Sequence, residues 1–478
     1  VIASDQSALR VGSAKLIVDG TDTMLVRKAE ISLRPSRVRA RALSQLLHFS
    51  RDIYNGALQH RRDAWHITRN ASAPTSISRF DQFNQVKELK EVCPAIGRFG
   101  ITPVRGAISR VDEAFGAFFR RVKNGEAPGY PRFKSAARFA TIFYDSPTGW
   151  HLRGVTPGPP RKDGRPAQAV AAALYVQGVG EIPLGQGALR QLRRLLARGG
   201  EPRTLTITRT RSGAWRGCVG FRAVALRPLP EAGAIGGVDR GIWVTAALPD
   251  GTLLRCPAFL KEARAQIAEL QRQREQFEKF STEWKKINKA VAKTYAQAHR
   301  RAENWARHAA IDIVARYGVI ALEDLQLVNM SKSAKGTKES PGRGVAQKKG
   351  LNRSLQDAAL ARLAYWICVK AEEAGRRVWK VNAKDSSREC IACGHTEAAN
   401  RSRARFSCTR CRHEAHADVN AAQVVTARGQ VAETSWRAAG RPVAKRPEPK
   451  NRRRQAAEPS RSTGPGRLLT QQSREPAT

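Results

Sequence analysis

The chain has 478 residues, enough for two or three domains with cores of their own. Lys and Arg number 84 against 41 Asp and Glu, a formal charge of +43 that repels itself unless an anionic partner compensates. Nucleic acid fits best, because each neutralised phosphate also releases counterions. A membrane fits poorly, since no run of about 18 apolar residues and no charged-then-apolar leader occurs.

The first residue is Val and the first Met is Met24. Residues 1–23 are therefore read as a leader or upstream extension, disordered and outside any domain. Alternation over residues 26–33 predicts a strand. Residues 36–127 read as helices, with Leu43, Leu46, Leu47, Tyr54 and Leu58 at helical spacing. A Pro/Gly turn follows at 128–134, carrying Tyr130, Arg132, Phe133 and Lys134. Either its aromatics stack on bases with the cations on phosphates, or both rings are core anchors of a tight turn.

From 139 to 225 the pattern is of strands, at 173–176, 205–208 and 215–221. With 26–33 they are expected to close a small β-barrel into which the helical segment is inserted. Residues 226–231 form a linker. Strands are then predicted at 235–238 and 242–248, with a turn at 249–251 and a return at 252–255. Residues 259–317 read as a helical hairpin, with Phe277, Phe280, Trp284, Ile287 and Val291 stepping by three and four.

Residues 319–323 open as the continuous apolar run of a central strand. A Gly-, Ser- and Lys-rich segment, 331–350, is expected to be a mobile loop beside nucleic acid. An amphipathic helix at 351–373, a strand at 377–381 and a helix opening near Asp418 complete the pattern. Past residue 428 periodicity is lost, and 429–478 reads as a disordered, phosphate-seeking tail.

Cys390, Cys393, Cys408 and Cys411 make two Cys-x-x-Cys knuckles at zinc-ribbon spacing. Four thiolates close a tetrahedron around Zn2+ with no open position, so this site is structural. His395, His413 and His416 are neighbouring alternative ligands that four thiolates make unnecessary. Cys93, Cys218, Cys256 and Cys368 are scattered singly and read as reduced core thiols of a cytosolic protein.

The chemistry points to three acids. Asp239 follows the first strand of the C-terminal half and Glu323 ends the central one. Asp418 shares a helix face with Ala421, Ala422 and Val425. Taken singly, each has an ordinary reading as a turn acid, a cap or a dipole partner. Taken together, in a β-β-β-α-β-α-β-α order, they gather at strand ends, where such sheets carry their chemistry. Three carboxylates in one pocket require cations. Two Mg2+ or Mn2+ ions about 3.5–4 Å apart would activate water and stabilise a departing 3′ oxygen, which is phosphodiester hydrolysis.

Gly237-Val-Asp-Arg-Gly-Ile242, Ile320-Ala-Leu-Glu-Asp-Leu325 and Ala417-Asp-Val-Asn-Ala-Ala422 resemble the three RuvC motifs of TnpB-type nucleases. These are transposon-encoded RNA-guided DNA endonucleases, ancestral to the compact type V CRISPR effectors. Ile53-Tyr-Asn-Gly-Ala-Leu58, Ala114-Phe-x-x-Phe-Phe119, Gly129-Tyr-Pro-Arg-Phe-Lys134, Leu351-Asn-Arg-Ser354 and Ser386-Ser-x-x-Cys-x-x-Cys-Gly394 are similar to further landmarks. The resemblance spans residues 24–426.

It implies an α/β and α+β multidomain chain. A wedge β-barrel (24–40 and 139–230) would hold an inserted helical recognition domain (41–138). An RNase H-like RuvC nuclease (231–385, with 331–350 as lid, and 414–428) would hold the zinc ribbon (386–413). It also implies Asp239, Glu323 and Asp418 as catalytic magnesium ligands, a guide RNA, and double-stranded DNA targets beside a short adjacent motif. Tyr130, Arg132, Phe133, Lys134, Arg240, Asn352 and Arg353 are the candidate nucleic-acid contacts. A monomer is expected, in the prokaryotic cytoplasm and associated with the nucleoid.

Two departures stand out. Arg240 follows the first acid, where many members carry an apolar residue, and either pairs with Asp239 or contacts the scissile phosphate. Arg412 replaces the glycine that usually follows the second knuckle. The competing function is an RNA-guided DNA-binding protein with weak or lost cleavage that acts by occupying its target.

Overall fold

The computed structural model describes residues 10–11, 14–19, 24–73, 75–156, 171–230, 232–334, 336 and 340–439. In the N-terminal half, a four-stranded antiparallel sheet contains Met24–Leu33, Trp215–Ala225, Glu201–Arg209 and Thr141–Tyr144, in that spatial order. A second sheet pairs Trp150–Arg153, Ala173–Val176 and Gly180–Pro183, and a bridge from Leu33 to Leu184 joins the two. Among the described residues, the strands expected to close a barrel form these two bridged sheets.

The long helix Arg37–Thr68 begins where the Ser36 side chain accepts from the Arg39 backbone N–H, a serine N-cap. Its stripe of Leu43, Leu46, Leu47, Tyr54 and Leu58 packs against Ile142, Leu205, Ile207 and Phe221 of the sheets. Helices and sheets therefore share one core. Asn55 fastens the turn at 128–134 to this helix. Its amide donates to the Lys134 carbonyl (3.1 Å), and its Oδ1 accepts from the Lys134 N–H (2.9 Å).

The C-terminal half is built on three parallel strands, Ile235–Val238, Val319–Glu323 and Arg377–Val381, with Val319–Glu323 central. A fourth strand, Ala14–Val18, adds antiparallel to Arg377–Val381 and pairs in turn with Arg10–Val11. Residues 14–18 are thus an integral strand of this sheet, which corrects their reading as a leader outside any domain; residues 1–9 lie outside the described residues. Side chains alternate across the sheet, as strand geometry requires. Ile320 and Leu322 meet Ile313, Leu363 and Ile367 on one face, while Val319 and Ala321 meet Val425, Ala432 and Trp436 on the other.

The helical hairpin is Phe259–Glu275 and Thr282–Arg316. Its second helix is buried through Ala302, Ala306, Ala310 and Ile313, whereas Phe277 and Phe280, read as part of a seam, are exposed. The amphipathic stretch before the last parallel strand is two helices, Val345–Asp357 and Leu360–Glu373, broken at Ala359 with φ +54°. Helix therefore already begins inside the segment read as a loop at 331–350, part of which lies outside the described residues.

The final helix, Ala417–Ala438, buries Gly429, Ala432, Glu433 and Trp436. Residues 429–438 thus continue the helix and pack on the sheet through these four residues rather than forming a tail, and 440–478 lie outside the described residues. Among the described residues no helix is long and apolar enough to cross a membrane.

Candidate metal and carboxylate centres

The four cysteine sulfurs lie within 4.8 Å of one another. Cys390 and Cys411 Sγ are 3.6 Å apart, as are Cys393 and Cys408 Sγ. That is far beyond a disulfide bond of about 2 Å and close to the edge of a tetrahedron with zinc–sulfur bonds of about 2.3 Å. The knuckles repeat one backbone pattern. Gly394 N–H donates to the Cys390 carbonyl, and Arg412 N–H to that of Cys408; Cys390 and Cys408 N–H donate to His395 and His413 carbonyls. The Cys411 N–H, 3.5 Å from Cys408 Sγ, leads the contacts that pull that thiol down to about 6. The donor set fits Zn2+ through thiolates alone. His416 caps the final helix through Nδ1, 3.2 Å from the Asp418 N–H, and His395 pairs with Glu397.

Asp239 and Glu323 are brought together by strand register. Val238 lies opposite Leu322 in the parallel pair, so the next residues, Asp239 and Glu323, emerge side by side. Both are buried, at 9% and 4% exposure. Burial, then the Glu323 and Asp418 carboxylates, and a hydrogen bond shared with Glu323 push the Asp239 carboxyl well above its ordinary range; Arg401 opposes them.

Asp418 arrives on the final helix, which lies directly on the sheet because two glycines allow it. A Cβ on Gly237 would stand 2.4 Å from both the Ala422 carbonyl oxygen and the Thr426 nitrogen, and one on Gly429 would meet Ala321 Cβ at 2.6 Å. Gly237 N–H donates to Thr426 Oγ1 at 2.8 Å, locking that contact.

The three carboxylates point to the same end of the sheet, yet their oxygens do not all come within 4.8 Å of one another. Arg401, on the cysteine module, holds Asp418 Oδ1 at 2.6 Å. Ser386 Oγ lies 2.6 Å from Glu323 Oε1 and fixes that carboxylate. Asn420, fully buried, ties the module to the acid-bearing helix, donating to the Glu389 carbonyl (2.7 Å) and accepting from the Ile391 N–H (3.2 Å).

Sequence reasoning did not assign Ser386, Arg401 or Asn420 a role in the centre. Ser386 and Asn420 sit inside the motifs quoted above; Arg401 carries no local signal.

Arg240 is only 7% exposed and donates to the Glu323 backbone carbonyl, with its Nε lacking a protein partner. The guanidinium is thus held at the end of the strand that carries Glu323. Tyr130 and Phe133 are held by neighbouring side chains yet stay partly exposed. Tyr130 packs edge-on against Phe115 and Phe118, Arg62 lies 5.1 Å over Phe133, and the rings stay 43% and 42% exposed. Asn352 donates to the Ser331 carbonyl at 3.0 Å, and Arg353 is exposed. None of these joins the carboxylate cluster. Of the scattered thiols, only Cys368 is buried.

Two family models match the chain: "Cas12f1-like, TNB domain" over residues 361–425 and "Probable transposase" over 222–334. "Putative RNA-guided DNA endonuclease InsQ" of Escherichia coli (strain K12) is 31% identical over 218 residues, covering 45% of this chain and 54% of that protein. The match thus spans about half the length of that relative. A "Putative RNA-guided DNA endonuclease" of Streptomyces pristinaespiralis is 25% identical over 407 residues, 83% of this chain and 88% of the relative. Among solved structures, a chain of a Cas12f1–sgRNA–target DNA complex aligns with TM-score 0.49 and 14% identity, over 82% of this chain and 83% of that one. On the two domain models and these relatives, the chain is similar to TnpB-type transposon-encoded proteins, with both domain models falling in its C-terminal half.

Proposed function

We propose that this chain is an RNA-guided, metal-dependent DNA endonuclease with a RuvC-type site. The observation that carries the reading is the pairing of buried Asp239 and Glu323 at adjacent parallel strand ends, beneath the helix that opens with Asp418. Asp239, a buried carboxyl whose proton affinity is raised by burial and by the neighbouring carboxylates, marks a site in need of cations. Two divalent ions, Mg2+ or Mn2+, would supply an activated water and neutralise the leaving 3′ oxygen.

The protein's own residues do the rest. Ser386 orients Glu323, Arg240 fixes the strand end behind it, and the cysteine module, holding structural Zn2+, braces the acid-bearing helix through Asn420. The N-terminal half acts as the wedge and recognition domains of such nucleases. There Arg132, Lys134 and the half-exposed Tyr130 and Phe133 meet guide RNA or target duplex, and Asn352 and Arg353 make further contacts from the C-terminal half. The protein works in the prokaryotic cytoplasm, on double-stranded DNA beside a short adjacent motif.

A second reading, target occupancy without cutting, is favoured by one observation: Arg401 already occupies Asp418. Plasmid cleavage by the purified ribonucleoprotein with magnesium separates the two. Wild type is expected to make double-strand breaks, and D239A, E323A and D418A to lose at least a thousandfold in rate while still binding the target. Alanine variants that cut at the wild-type rate would overturn the catalytic assignment. A wild type that binds and never cuts would leave occupancy as the function.

A further inference from the structure

Beside Asp418 opens a cleft of about 580 Å³. It is lined by the turn at residues 241–244 and by Arg255, just after the strand that pairs back beside that turn, and by Arg401 and Arg403 of the cysteine module. Trp243 stands on the turn with 90% of its surface exposed. A tryptophan so fully in water buries none of its large apolar faces, which is costly unless something covers them. Nor is its perch loose. Gly241 N–H donates to the Val244 carbonyl at 3.0 Å, and Val244 is buried against Ala247 and Ala422, the latter on the Asp418 helix. The indole is thus displayed from a turn anchored to the acid-bearing elements.

The lining from the cysteine module is equally particular. Arg403 adopts φ +52°, a left-handed conformation that disfavours residues with a Cβ, at the tip of the hairpin between Arg401–Ser402 and Arg405–Ser407. The Ala404 carbonyl accepts from the Ala417 N–H at 2.8 Å, docking this tip on the start of the same helix. A flat aromatic face and guanidinium groups in one cleft are the two parts of a single-strand binding groove: bases stack without sequence preference while cations follow the backbone.

We infer that Trp243 is the stacking platform for one base of the single DNA strand entering the carboxylate centre, with Arg255 and Arg403 on its phosphates. This deepens the nuclease reading and rests on it. Stacking of that base sets the register of the strand, so that a phosphodiester a nucleotide or so away meets Asp239, Glu323 and Asp418. Trp243 contacts substrate and takes no part in bond making.

The test walks a single abasic nucleotide through the target strand around the cut and measures cleavage by the ribonucleoprotein. Wild type is expected to slow about tenfold at one position. W243A should be about tenfold slower on intact DNA and indifferent to that abasic site, while W243F stays within about threefold of wild type. Its thermal midpoint should not move, since so exposed a side chain supports no core. Penalties that multiply, or a W243A protein that cuts as fast as wild type, would overturn the inference.

Fluorescence separates this failure from failure of the nuclease reading. With 2-aminopurine walked through the same positions in complexes of D239A, Trp243 should quench one position, and D239A/W243A should not. Quenching without any wild-type cleavage would leave the platform and remove the nuclease. Cleavage with quenching indifferent to Trp243 would do the reverse. Self-association that W243A abolishes, with no change in quenching, would make the indole a protein contact and sink the proposal.

Discussion

Arg412 holds φ +61° at the position where the first knuckle has Gly394 at φ +71°. A residue with a Cβ is strained there by about 1 kcal/mol, whereas glycine is not. R412G is therefore expected to stabilise the cysteine module by about 1 kcal/mol without changing zinc stoichiometry, as thermal unfolding and metal analysis would report. Unchanged or lower stability would mean that Arg412 earns its place through contacts made elsewhere.

Asp239 supports a prediction with a sign. Its carboxyl is raised above the ordinary 3.8 by burial first, then by Glu323 and Asp418, so the folded state keeps a proton that the unfolded chain surrenders. Stability of the metal-free protein should fall as pH rises from about 4 through the raised value. D239N should flatten that part of the profile and stabilise the metal-free protein. Denaturant midpoints recorded across that range with a chelator present decide it; a D239N profile as steep as wild type would contradict the assigned cause.

At the scale of elements, helix-on-sheet contact decides where Asp418 lies. G237A would drive a methyl into the backbone of residues 422 and 426. The helix must move, at a cost of about 1–3 kcal/mol. Even a 1 Å displacement of Asp418 should slow cleavage about a hundredfold while zinc content is kept. The same helix carries Glu433, whose carboxyl would be raised by burial but is held below the ordinary 4.5 by donors from Arg377, Trp379 and Arg437. A lowered acid stabilises above its unfolded value and ceases to as pH falls through its folded one. E433A should cost about 3 kcal/mol, because it leaves Trp379 Nε1 and the Arg377 guanidinium without their acceptor.

Residues 429–438 read as tail because small residues and a buried acid blur the apolar period, and only the partner strand gives them meaning. The central parallel strand, Val319–Glu323, by contrast, was legible as an apolar run. Residues 242–245 misled in the other direction. Ile-Trp-Val-Thr has the composition of a strand, but the Gly241–Val244 hydrogen bond bends it, and the strand is only Ala246–Ala247.

For the whole molecule, local patterns show what pairs nearby and are silent about what returns from far away. The knuckles were readable because their ligands recur at fixed short spacing. The strand Ala14–Val18 was not, since its partner, Arg377–Val381, lies at the other end of the chain. Arg401 on Asp418 and Trp243 over the cleft depend on the same kind of long-range closure.

Charge is the one property read equally well at every scale, and it yields the last test. Residues 440–478 carry ten Lys and Arg against three Glu within a total of +43. Each phosphate neutralised on duplex DNA contributes about 0.9 to the slope of log affinity against log salt. A chain ending at residue 439 keeps the buried part of the final helix. It should bind non-specific duplex with a slope shallower by several units while cutting its guided target at close to the full-length rate at low salt. An unchanged slope would mean that those cations meet no phosphate, and that the excess charge is spent on the grooves of the folded half.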